Sequence, residues 1–345
     1  VSGRRRQLWS PSAFVGVALA VLVAGALLSP SGRRDADRVL LYVVLAESWN
    51  LIGGFAGYVS LGQVAFFGLG GYATGVLMAR AGLPFEAALA VGTVLAGLFA
   101  LALGPPLLRL RGPYFAIASL GVAEGLAELM TNLVHLTGGG AGLTIPAFGP
   151  SAPTAYPSST VFFVAFWALA LGSVGVVALT ARSRLGFGLR AIREDEGAAA
   201  SLGVRTNRAK TLALVLSAVL ASLGGGLWAF QEVVIFPERV FSLSTTVLVI
   251  VMVVLGGSGS VVGPVVGAAV LEGVADLARG VMPGGADLVL GLAIVLAVLF
   301  VPDGVLGLGR RLAVRLRQVR RVGVPQVRRL ASSRAVLADS REGDA

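Results

Sequence analysis

The sequence predicts an all-α protein, a polytopic transmembrane helical bundle of eight to ten spans, and three observations carry that reading. Hydrophobic residues make up 56% of the 345 positions and charged residues only 13%, too little charge to cover a water-soluble surface. Apolar runs of about 17 to 25 residues recur along the chain, the length that crosses a hydrocarbon core as a helix. Arginines gather at the ends of those runs rather than in a stripe with interleaved aromatics. The net charge of +10 therefore reads as membrane topology, with lipid and not nucleic acid as the partner. Cysteine is absent, which excludes disulfides, thiolate metal sites and cysteine nucleophiles.

The runs lie near 13–30, 39–56, 58–79, 84–108, 113–134, 160–181, 211–230, 241–257, 260–278 and 287–302. Residues 39–56 and 58–79 nearly touch, and the glycine-rich "GGSGSVVGP" within 241–278 marks either a turn between two spans or a re-entrant element. The first run has signal-peptide traits, three arginines ahead of it and a small-residue "AGA" at 24–26, but it continues to Ser29 and is expected to be retained. The spans form one transmembrane domain, 1–309, followed by a basic cytoplasmic tail, 310–345, with ten arginines against three acids.

Loop charge orients the bundle. With Arg4, Arg5 and Arg6 inside, Arg109, Arg111, the 182–210 segment and the tail fall inside as well. The proline- and glycine-rich 135–159 loop, containing Gly138, Gly139 and Gly140 and no lysine or arginine, falls outside. Arg33, Arg34 and Arg38 run against the rule on the outer side, tempered by Asp35 and Asp37.

Within the stretch "SWNLIGGFAGYVSLGQVAFFGLGGYATGVL", Gly53 and Gly57, then Gly68, Gly71 and Gly75, recur at three- and four-residue steps, so they share faces where helices can approach closely. Gly121 with Gly125 and Gly263 with Gly267 repeat the device. Close packing is the first reading of these faces; lining a solute path, together with the polar Asn50 and Gln63, is the second. Acids within apolar runs, Glu47, Glu124, Glu128 and Glu272, are expensive at mid-bilayer. Glu124 and Glu128 share a face as a proton-relay pair would, yet Glu47 lies near Asn50, and Glu128 near Thr131 and Asn132, which favours hydrogen-bonded or interfacial placement. His135, the single histidine, stands at a span end, a poor position for a base or metal ligand.

No phosphate-binding G-x-x-x-x-G-K-[ST] loop occurs, and Lys210 is the sole lysine. Nor is there a G-x-S-x-G or H-E-x-x-H motif, so the chain is expected to be no enzyme, to hold no cofactor or metal, and to transport. Segment 182–210 interrupts the apolar runs with seven basic residues and three acids. Asp195 is placed to cap a short helix, Glu196 lies in its first turn, and Gly203 suits a left-handed stop. Ala198, Ala199 and Leu202 offer a small apolar face for a partner's groove. Thr206 or Asn207 is placed to cap the next span.

The strings "SWNLIGGFAGYVSLGQVAFFGLGGYATGVL", "LLRLRGPYFAIASLGVAEGL", "LTGGGAGLTIP", "RSRLGFGLRAIREDEGAAASLGV" and "FSLSTTVLVIVMVVLGGSGSVVGPVVGAAVLEG" resemble, in order over roughly 38–308, the LivM-type permease subunits of branched-chain amino acid ABC importers. The resemblance implies a type II importer fold in the bacterial inner membrane. It also implies a second permease of LivH type, two cytoplasmic ATPases that bind the ATP, an extracytoplasmic solute-binding protein and an amino-acid substrate. Ala198, Ala199 and Gly203 match the family's coupling motif, E-A-A followed three residues later by G. The motif's glutamate position is Gly197, with Glu196 one place earlier. Where the family usually has Ser-Asp, this chain has Gly140 and Ala141. Importers of urea or short amides have similar permeases and stand as the nearest alternative. A stand-alone ion-coupled secondary transporter would need titratable groups at mid-membrane helix breaks.

Overall fold

Ser29 begins the first long helix. Its hydroxyl accepts a hydrogen bond from the Gly32 amide at 3.3 Å, and Pro30 occupies the first turn, where a missing N–H leaves nothing unmade, so α1 runs Pro30–Trp49. A π-helical stretch, Asn50–Phe55, prolongs it. The computed structural model describes residues 20–23, 25, 28–147, 152, 154–281, 291–292 and 295. The runs expected at 13–30 and 287–302 lie largely outside these residues, and Arg4 to Arg6 and the 310–345 tail lie wholly outside.

The chain continues through α2 (Gln63–Ala81), α3 (Phe85–Leu107), α4 (Pro113–Asn132) and the short α5 (Val134–Thr137). It returns as α6 (Ser159–Arg182), passes through α7 (Arg184–Glu194) and α8 (Glu196–Ser201), and recrosses as α9 (Thr206–Glu232). Then follow α10 (Pro237–Val240), α11 (Leu243–Gly256) and α12 (Gly263–Val281). Six helices among the described residues are long and apolar enough to cross a membrane, or seven if the 113–132 and 134–141 pair, bent by 78°, is one span. Expected run 260–278 appears as α12, whose Glu272, Asp276 and Arg279 keep it out of that count.

Helix α9 is the centre, lying against α2 and α3 on one side and α1 on another, while α6 and α12 cover α1. Glycine makes the closest approach possible. A Cβ on Gly225 of α9 would overlap the Phe67 carbonyl of α2, and one on Gly70 would overlap the Ser222 carbonyl. Gly71 faces Gly225 and Ala229, with 3.2 Å from an added Cβ to the Gly225 oxygen. Gly68 lies under the Phe241 ring and Gly75 under Leu143 and Ile145, so all three glycines of the expected face are buried or half-buried contacts within this chain. Gly263 and Gly267 likewise let α12 close on the 252–257 backbone. Gly121 and Gly125 differ: among the described residues nothing lies within 4 Å of a Cβ added at either, and both are exposed on α4.

Two polar ends frame the bundle. At the basic end lie Arg109, Arg111, α7, α8 and the start of α9. At the opposite end, Arg33 donates to Ser159 and Thr160, and Arg38 pairs with Asp35 at 2.9 Å, Asp276 at 3.3 Å and Glu272 at 3.6 Å. Of the arginines that run against the charge rule, Arg38 is thus matched by Asp35 and by acids on α12, and Arg33 by hydroxyls on α6. A two-stranded antiparallel ladder, β1 (Leu143–Thr144) with β2 (Val234–Ile235), ties the 135–159 loop to the end of α9.

Candidate functional site

The 182–210 segment folds as two short helices. Ser183 caps α7 by accepting from the Gly186 amide, and Asp195 caps α8 by accepting from the Ala198 amide at 2.9 Å. Gly203 has φ +86, the left-handed stop its type suggests. Span α9 starts at Thr206 with Arg205 at its cap position and no side-chain cap bond, so neither Thr206 nor Asn207 serves as the cap.

Glu196 points into the protein, where the sequence reading did not place it. Its Oε1 accepts from Lys210 Nζ at 2.6 Å and its Oε2 from the Tyr58 hydroxyl at 2.7 Å, with Arg111 Nε at 3.4 Å. Lys210, with its side chain 2% exposed, also donates to the Tyr58 oxygen and to the Leu108 carbonyl, each at 2.9 Å, and lies over the Tyr58 ring. A fifth bond, Arg193 Nη1 to the Gly54 carbonyl at 2.6 Å, anchors the end of α7 to the π-helical stretch. One carboxylate and one ammonium therefore join α8, α9, the 56–62 link and the 108–112 link.

Partial burial pushes the Glu196 carboxyl up, but hydrogen bonds from Lys210 and Tyr58, with the charges of Lys210 and Arg111, outweigh it and hold the group below its ordinary value. Burial and the adjacent Glu196 push the Tyr58 phenol upward. Glu196 is therefore held as a carboxylate and Tyr58 as a neutral phenol at neutral pH.

Ala199 corrects the expected docking face. It is buried against this chain, whereas Ala198 is exposed and Leu202 is 85% exposed. The reason is the 100° step of a helix: Ala198 and Leu202, four apart, share a side, and Ala199 turns away from it.

Asn50 and Gln63 are both buried and both hydrogen-bonded inside the chain. Asn50 donates to the Ser260 carbonyl at 2.8 Å and accepts from the Gly259 amide at 2.9 Å, joining α1 to the 256–263 turn. Gln63 donates to Ser48 and accepts from Ser217, joining α2 to α1 and α9. Glu47 is fully buried beside Asn50, as expected, but with Asn50 engaged by that turn neither Glu47 oxygen makes a well-formed hydrogen bond among the described residues. Glu124 is exposed, Glu128 holds Asn132 at 2.6 Å, and His135 is exposed. In the 135–159 loop Gly138 and Gly139 adopt positive φ, and a Cβ on Gly139 would meet the Thr131 carbonyl, while Gly140 is exposed with open space about it.

A bundle of glycine-fitted membrane helices with a capped short helix latched to its basic end is the architecture of a polytopic membrane permease. Residues 36–299 match the family model described as branched-chain amino acid transport system / permease component, and the chain belongs to that family. The high-affinity branched-chain amino acid transport system permease protein LivM of Escherichia coli K12 is 33% identical over 324 residues, covering 85% of this chain and 75% of the relative. The corresponding protein BraD of Pseudomonas aeruginosa is 28% identical over 284 residues, 77% and 91% of the two chains. The permease protein LivH of E. coli K12 is 28% identical over 193 residues, 54% and 62% of the two. No solved structure matches the chain.

Proposed function

We propose that this chain is the LivM-type subunit of an ATP-driven importer in the bacterial inner membrane, moving branched-chain amino acids inward unmodified. It pairs with a LivH-type permease, and an extracytoplasmic binding protein delivers the solute at the 135–159 end. Two cytoplasmic ATPases bind the nucleotide, so this chain needs no cofactor of its own. The observation that carries the reading is the family match over 36–299 together with the α8 latch.

Helix α8 presents Ala198 and Leu202 outward, a small and an apolar side chain for an ATPase groove. Any push on it passes through Glu196 and Lys210 into α9, and through Tyr58 into the link between α1 and α2. The chain has no nucleotide loop, so that contact is the means by which hydrolysis moves the spans.

The test is uptake of labelled L-leucine into proteoliposomes holding both permeases and both ATPases, with binding protein outside the membrane and ATP on the ATPase side. ATP-dependent uptake lost on omission of any partner is expected. Ion-driven uptake by this chain alone would overturn the reading, and uptake of urea in place of leucine would overturn the substrate.

A further inference from the structure

A cavity of about 500 Å³ opens at the end opposite the basic one, among α1, α6, α9, α11 and Tyr156. One stripe of α1 supplies a wall. Arg34, Asp37, Leu41 and Leu45 follow one another at three- and four-residue steps, so charge at the rim gives way to hydrocarbon further in. Phe166 of α6 and Trp228 of α9 also face this space.

Asp37 is the informative group. It is 1% exposed; its Oδ2 accepts from Gln231 Nε2 at 2.6 Å, while its buried Oδ1 has no donor among the described residues. A buried carboxylate oxygen left unsatisfied is costly, and an occupant of the cavity with a cationic N–H supplies what is missing once a small rotation of the Asp37 carboxylate turns Oδ1 toward it. Arg34, three residues or ~4.5 Å along α1, is exposed on the rim and forms no ion pair among the described residues. A carboxylate and a guanidinium at that spacing suit a molecule bearing an ammonium and a carboxylate on neighbouring atoms. A phosphate headgroup suits Arg34 but meets repulsion at Asp37.

We propose that this cavity is a solute site within the subunit, taking an aliphatic α-amino acid with its ammonium on Asp37 Oδ1, its carboxylate toward Arg34 and its side chain on Leu41, Phe166 and Trp228. The proposal rests on the transport reading and adds to it a resting place for the solute inside one permease, apart from the binding protein.

Equilibrium binding of labelled L-leucine to the permease–ATPase complex in lipid nanodiscs, with no binding protein, tests it. Saturable binding is expected, displaced by L-valine but not by 3-methylbutylamine or 4-methylpentanoate, which each lack one of the two charged groups. Asp37→Asn should weaken binding at least tenfold, and Leu41→Trp, which fills the apolar part without touching a charge, should abolish it, both at wild-type complex yield. A wild-type complex that imports leucine with ATP and binding protein yet shows no saturable binding alone overturns the site and leaves the transport reading standing. Unchanged binding in Asp37→Asn, or displacement by 3-methylbutylamine as good as by valine, also overturns it. So does a phospholipid retained in the wild type and released by Arg34→Gln while leucine fails to bind. Absence of leucine uptake with every partner present overturns the transport reading instead.

Discussion

Lys210 shows how much one side chain can hold. Its ammonium is buried against Glu196, Tyr58 and the Leu108 carbonyl, and a buried pair broken from one side strands the other charge. Lys210→Met is expected to cost about 3 kcal/mol, the low end of ~3–5 for such breaks because Arg111 still faces Glu196. Adding Glu196→Gln should restore part of the loss, a coupling that a double-mutant cycle of thermal unfolding measures. The same pair gives a pH signature. Glu196 has a folded pKa below its unfolded value of 4.5, so its contribution is fully present above that value and is lost as pH falls through the lower folded one. The stability difference between wild type and Glu196→Gln should be flat from pH 8 to 5.5 and shrink below pH 4.5. A gap that instead widens in acid would contradict the assigned sign. Asp195 and Gly203 were legible in the sequence because caps and stops are local chemistry. The pairing of Glu196 with Lys210 was not, since α8, a left-handed stop and a turn of α9 intervene, and Tyr58 is 138 residues away. Ala199 was misread because three apolar residues in six invite a single face, whereas a helix turns one of them away.

At the scale of elements, glycine position decides which helices touch. Gly225→Ala forces a Cβ into the Phe67 carbonyl and should destabilise by ~1–3 kcal/mol or separate α9 from α2. Gly121→Ala, with open space around it on α4, should be neutral or stabilise by up to ~1 kcal/mol through helix propensity alone. Denaturation of the two purified variants distinguishes them; equal losses would mean that Gly121 meets a surface outside this chain. The apolar runs located the spans because 20-residue hydrophobicity is a strong signal. Their ends were less legible. Residues 30–38 are polar yet helical because Ser29, Pro30 and the ion pairs of Arg38 sustain the turns. The break at 56–62 sits inside an apolar stretch because Trp49 donates to the Ser60 carbonyl and Ser119 receives the Leu61 amide, contacts that hydropathy does not record.

For the whole molecule, the two polar ends define an orientation that labelling can check. With Ser158→Cys and Ser201→Cys introduced singly into a chain free of cysteine, an impermeant maleimide outside intact cells should mark the first and spare the second. The reverse pattern would invert the topology and move the proposed ATPase contact to the wrong side. The distribution of amino groups has a separate consequence. Among 345 residues a single side chain carries a primary amine, and it is sunk in the basic end beneath α8. Amine-directed acylating reagents should therefore spare Lys210 in the closed protein and modify it if α8 lifts away. The native chain thus carries its own chemical reporter of whether the α8 contact stays closed, read by mass spectrometry at one peptide, with no probe to be engineered.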